Sequence, residues 1–174
     1  MKKSIKFFSL VMLFMFIAPQ VYSQKCKFDY EKKDPLTGEA TKGNSFMIKM
    51  WWHLGLNKVG NEYHVGMYIR LDGNVRDYVT PENTIIFKLE NGEIITVYAD
   101  NEYVPTAQSV RYGNEYRVVS VIRAKFTISE EDLQKIATSP LAYVKMTAGA
   151  RTYDSEFKTK KGAEFQNKAK CILQ

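Results

Sequence analysis

Two hydrophobic patterns stand out along the chain. Near the start, an uncharged apolar run extends from Phe7 to Ala18, twelve residues in all. Between Ser45 and Leu71 the apolar residues alternate instead. Phe46, Ile48, Met50 and Trp52 interleave with Met47, Lys49, Trp51 and His53. Tyr63, Val65, Met67, Ile69 and Leu71 interleave with Glu62, His64, Gly66, Tyr68 and Arg70. A period of two describes half-buried strands. A turn near Asn57-Lys58-Val59-Gly60 makes the segment a hairpin. Folding it about Lys58 and Val59 predicts Trp52 opposite Val65, Met50 opposite Met67 and Ile48 opposite Ile69, every pair apolar. The same register predicts Trp51 across from Gly66 and His53 across from His64.

The remaining elements follow from turns and periodicity. Cys26 to Glu31 reads as a first strand, ended by the Asp34-Pro35-Leu36-Thr37-Gly38 turn. Thr84–Leu89 and Glu93–Tyr98 flank Asn91-Gly92, a strong hairpin signal. Their apolar residues fall on both faces, which predicts strands covered on both sides. Gln108–Tyr112 and Glu115–Ile128 form a third hairpin around Gly113-Asn114. Its long arm carries Tyr116, Val118, Ile122, Ala124, Phe126 and Ile128 on one face and Arg117, Arg123 and Lys125 on the other. Ser129 caps a short helix near 130–138, with Glu130, Glu131 and Asp132 at its positive end. Ser139-Pro140 stops it. Leu141–Thr147 and Arg151–Phe157 read as two last strands. Gly162–Leu173 reads as a C-terminal helix burying Phe165, Ala169 and Ile172. Successive hairpins with few helices predict a mainly β chain, an antiparallel β-sandwich or a strongly bent sheet.

The early apolar run changes the picture of where the protein works. Lys2, Lys3 and Lys6 precede it, Pro19 ends it, and Val21-Tyr22-Ser23 offers a cleavage site before Gln24. Basic start, short apolar run and small-residue site together read as a signal peptide, residues 1–23. A membrane-spanning helix needs ~20 apolar residues, more than the run supplies. A lipid anchor at Cys26 is disfavoured by Gln24 and Lys25 just before it. Residues 24–174 are then expected to form a single β-rich domain, exported to the periplasm or secreted, with no membrane span in its mature form.

Charge and cysteines narrow the function classes. Three of the 25 basic residues lie in the signal, leaving 22 against 19 acidic, a net charge of +3. So small a surplus predicts no nucleic-acid partner, which would require clustered Lys and Arg on one face. The two cysteines, Cys26 and Cys171, stand at opposite ends of the mature chain. In an oxidising compartment they are expected to pair. Free thiols and a two-cysteine metal site are the alternatives, and no histidine flanks either cysteine.

Candidate chemistry is sparse. His53 and His64, the only histidines, are expected side by side, yet stable zinc sites use three or four protein ligands, so no metal is expected. There is no nucleophile elbow and no phosphate-cradling glycine loop, so no catalytic residue and no cofactor is assigned. Glu102, Asp154 and Glu156 remain available to a carboxylate-dependent hydrolase. One surface does attract notice. The non-core face of the first hairpin carries Trp51, His53, His64, Tyr68 and Arg70, a composition typical of binding hot spots. The competing reading has the terminal helix or another sheet covering that face.

The chain also resembles small secreted proteins of unknown function of the Bacteroidota type. The resemblance rests on Cys26-Lys27-Phe28-Asp29-Tyr30, Asp34-Pro35-Leu36-Thr37-Gly38, Glu90-Asn91-Gly92-Glu93 and Ile128-Ser129-Glu130-Glu131-Asp132-Leu133, in that order after a signal peptide. It implies a non-enzymatic envelope or secreted β-domain and offers no substrate. The leading expectation is an exported binding or structural domain with an unknown protein or glycan partner. A hydrolase of envelope polymers is one alternative. An envelope assembly subunit acting through an edge strand is the other.

Overall fold

A computed structural model describes residues 26–174. The expected signal peptide lies outside the described residues. In chain order the elements are β1 (Tyr30–Lys33), β2 (Ala40–Lys49), β3 (Trp52–Val59), β4 (Glu62–Asp72), β5 (Thr84–Leu89), β6 (Ile94–Ala99), β7 (Thr106–Tyr112), β8 (Glu115–Ile128), α1 (Glu130–Thr138), β9 (Leu141–Ala148), β10 (Arg151–Glu156) and α2 (Thr159–Leu173). All ten strands join one antiparallel sheet in the order β1-β2-β3-β4-β8-β6-β5-β9-β10, with β7 paired to β8 beside that path. The strongly bent sheet is therefore the observed form, and no sandwich of two sheets is present among the described residues.

The bend wraps the sheet around α2. Phe165 of α2 lies 5.0 Å from Phe46 of β2 and 5.7 Å from Phe87 of β5, ring centre to ring centre. Those strands stand far apart in the sheet order, so one helix can touch both only if the sheet curls. The two ends of the sheet approach one another at the β2–β3 turn, where Lys49 Nζ donates to the Asp154 carbonyl at 3.1 Å and Trp51 meets Tyr153 edge-on at 6.2 Å. The sheet nevertheless stays open. Phe165, Ala169 and Ile172 are fully buried, as their spacing predicts. A close approach seats the helix: a Cβ at Gly162 would stand 2.1 Å from the Leu141 carbonyl oxygen. Ser129 caps α1, its hydroxyl accepting from the Asp132 amide at 3.1 Å. Cys26 and Cys171 form a disulfide across 145 residues of sequence. No helix among the described residues is long and apolar enough to cross a membrane.

The first hairpin departs from its predicted register. The strand expected to run from Ser45 through His53 is broken after Lys49 by a two-residue turn, Met50-Trp51. Met47 pairs with His53 and Lys49 with Trp52, so Ile48 is the extra residue of a β-bulge. Between Met47 and Leu54 there is no Gly, Pro, Asn or Asp to announce a turn. Met50 consequently leaves the core and is 78% exposed. The next turn is Gly60-Asn61, two residues beyond the expected centre, with Gly60 at φ 56° as the first position of a type II′ turn requires. Trp52 therefore faces Ile69, Leu54 faces Met67 and Leu56 faces Val65. The slip in pairing is even, so every expected core residue except Met50 and the partly buried Leu71 still points inward and is buried.

Two smaller differences follow from what covers each strand. The second hairpin was expected to be covered on both faces, yet Ile94 is 66% exposed. Tyr116 and Val118 of the third hairpin were expected in the core and are exposed as well. Both helices lie on the inner side of the sheet, and β4 ends at Asp72, opposite Val119. Among the described residues the β7–β8 hairpin is left exposed beyond that point, so its core face begins only at Ser120 and Ile122. The Asn91-Gly92 turn also proves to be a three-residue loop. The Gly92 amide donates to Leu89 and the Leu89 amide to Glu93, with Gly92 at φ 91°.

Candidate functional site

The outer face of β2, β3, β4 and β8 is left open by the helices, and the strand register arranges its side chains in rows. Met47, His53, Tyr68 and Arg123 form one row, each the cross-strand partner of the next. Gly43, Asn57, His64 and Thr127 form another. Between them runs Ser45, Gly55, Gly66 and Lys125. That middle row is nearly bare, because two adjacent strands carry glycine where a side chain would stand. The result is a trough of about 470 Å³, floored by Gly55 and Gly66 and walled by His53, Tyr68, Arg123 and Tyr103. Tyr103 reaches it from the loop after β6, which is tied down by reciprocal bonds between Val79 and Tyr103 at 3.0 and 2.7 Å.

Charge is concentrated along this face. Arg123 lies over the Tyr68 ring at 5.4 Å, and His53 meets the same ring edge-on at 5.8 Å. Lys125 pairs with Asp100 at 2.9 Å, and the Tyr103 hydroxyl donates to the same carboxylate. Burial alone would raise the pKa of Asp100, but the bonds from Lys125 and Tyr103 hold it below the usual carboxylate range. Tyr103 is pushed up to about 12, by burial first and then by Asp100, so it remains a neutral donor at physiological pH.

A second depression, about 340 Å³, lies further along the same face between Met50, Trp51, Arg70, Asp72, Tyr112 and Arg117. Arg70 and Arg117 both stand 5.8 Å from the Tyr112 ring centre. Arg117 has Glu115 at 3.3 Å. Arg70 and Arg123 have no carboxylate within ion-pair distance among the described residues.

The five residues singled out by alternation thus divide. His53 and Tyr68 share the trough, and Trp51 and Arg70 share the second depression. Trp51 sits in a turn, stacked on Trp52 at 6.3 Å with Lys49 over its ring. It does not lie across from Gly66. His64 is not exposed at all: it is 5% accessible, with Nε2 3.4 Å from Glu62 and Nδ1 unpartnered. Its cross-strand partner is Asn57, and that of His53 is Tyr68, so the two imidazoles are not side by side. No group of three or more His, Cys, Asp or Glu gathers to hold a metal among the described residues. The alternation missed Tyr103, Tyr112 and the Gly55–Gly66 pair. It did place Arg117, Arg123 and Lys125 on one face, but only the pairing of β8 with β4 brings that face beside Tyr68 and Arg70. No family profile matches this chain, and no curated protein or solved structure matches it.

Proposed function

We propose that the chain is an exported, non-enzymatic binding domain that holds its ligand on the outer face of β3, β4 and β8. The observation that carries this reading is the trough floored by Gly55 and Gly66 and walled by His53, Tyr68 and Arg123. Two adjacent glycines lower the floor of the trough beside the Asn57 amide, and the aromatic and guanidinium walls supply the contacts that dominate binding energy. The sequence supports export through the charged, apolar and small-residue regions of residues 1–23. A disulfide joining the ends of the described chain is compatible with an oxidising compartment. The carboxyl groups displaced from their ordinary range, Asp34, Asp100 and Asp132, are all held low. A general acid needs the opposite shift.

The test is crosslinking of the exported protein in its native envelope, beside a Tyr68→Ala variant. The reading expects a captured partner that the variant loses. Equal capture by both proteins would defeat it. An assembly role is the second reading, favoured by the outer edge of β7, which among the described residues pairs with β8 alone. Concentration-dependent growth in sedimentation, unchanged in Tyr68→Ala, would support that role instead.

A further inference from the structure

We infer that the ligand is an acidic polysaccharide, lying along β4 and β8 with its carboxylates on Arg123 and Arg70 and its sugar rings over the glycine trough. The inference rests on the binding reading above and names the chemistry of the ligand.

Arg70 faces Val121 across the β4–β8 ladder, and Arg123 lies two residues further along β8. Diagonal neighbours of this kind have Cα atoms about 7–8 Å apart. Each guanidinium packs on a tyrosine, Arg123 on Tyr68 and Arg70 on Tyr112. The ring holds the planar group in place while its N–H edge stays free. A pre-positioned guanidinium without an acid is suited to bind a carboxylate through two parallel hydrogen bonds. Arg117 and Lys125 continue the stripe at either end, each already sharing a carboxylate with the protein. The face therefore presents two unneutralised cations flanked by two neutralised ones, a pattern that matches a chain bearing repeated negative charge.

The choice of sugar over peptide follows from the backbone. Extended peptides gain affinity by adding a strand to a free sheet edge. Here β3 lies between β2 and β4, and β4 between β3 and β8, so their main-chain groups are committed to the sheet. A ligand on this face finds no unpaired strand edge to extend. Ser45, His53 and Tyr103 offer polar groups around a flat glycine floor, which suits a ring carrying hydroxyl groups.

The experiment is a calorimetric titration of the mature protein with polygalacturonate and with its methyl-esterified form, which keeps the sugar chain and masks the charge. The inference expects binding to the acid form only, weakened by salt. Arg70→Gln and Arg123→Gln, at exposed or half-exposed positions, should each weaken it about tenfold or more, as loss of a charge-assisted bond does. Circular dichroism checks that both variants fold. No binding of polygalacturonate, equal binding of the esterified polymer, or indifference to both arginine substitutions would overturn the inference. So would tighter binding of polyglutamate or of an oligothymidylate. Loss of envelope capture by Tyr68→Ala, with any of these results, would leave the broader binding reading standing and remove only the acidic polysaccharide.

Discussion

At the residue scale, His64 and Gly162 show how single positions answer to their surroundings. Burial holds the His64 imidazole below its ordinary 6.5, with Lys125 adding to the effect and Glu62 and Asp100 opposing it. A histidine whose folded value is depressed binds protons more readily when unfolded. Its contribution is fully present above 6.5 and is lost as pH falls from there through the folded value. Urea denaturation of wild type and His64→Gln across that window should show the wild type losing more stability on acidification. Parallel curves would contradict this. Gly162 is a contest of two magnitudes. Replacing a glycine within a helix by alanine ordinarily stabilises by about 1 kcal/mol, and Gly162 is the fourth residue of α2. Here the new methyl would meet the Leu141 backbone, and forced overpacking costs about 1–3 kcal/mol, more against rigid backbone. Gly162→Ala should therefore lower the urea midpoint, whereas a rise would mean that α2 does not sit as close to β9.

At the element scale, what could be read in the sequence depended on whether a local rule governed the structure. Ser129 announces α1 because capping is local: its hydroxyl and the acidic first turn act within four residues. Ser129→Ala should cost about 1 kcal/mol in thermal or urea unfolding, the usual worth of a cap. No loss would mean the α1 start is held by packing alone. The period-two faces of β2 and β4 are equally legible, since burial enforces them at every second residue, whereas β3 is hidden by reading Asn57 to Gly60 as the turn. Pairing partners are not legible. The Met50-Trp51 turn carries no turn-forming residue, and an even slip of register leaves the inward faces unchanged, so hydrophobic pattern alone cannot detect it. The expected meeting of His53 and His64 failed for that reason, while the outward placing of His53, Tyr68 and Arg70 survived. The β4–β8 pairing was beyond reach for a different reason. It joins segments separated by three intervening strands and long loops, and nothing local selects that partner.

At the scale of the whole molecule, the sheet curls round α2 and the disulfide ties Cys171, in the last turn of that helix, to the chain just before β1. Closing a loop of 145 residues removes unfolded-state entropy worth about 4–5 kcal/mol in the ideal chain model. A Cys26→Ser/Cys171→Ser double variant should unfold at much lower denaturant while keeping its far-UV spectrum in buffer, and an unchanged midpoint would show that α2 needs no staple. This arrangement commits the inner face to packing and leaves the outer face of β3 and β4 free of the helices, where the proposed ligand would lie. Amide chemical-shift mapping on adding the polymer that the native envelope crosslink identifies tests that division most directly. Shifts should cluster at Gly55, Gly66, Tyr68 and Arg123. Shifts confined to α1 and α2, or to the outer edge of β7, would contradict it.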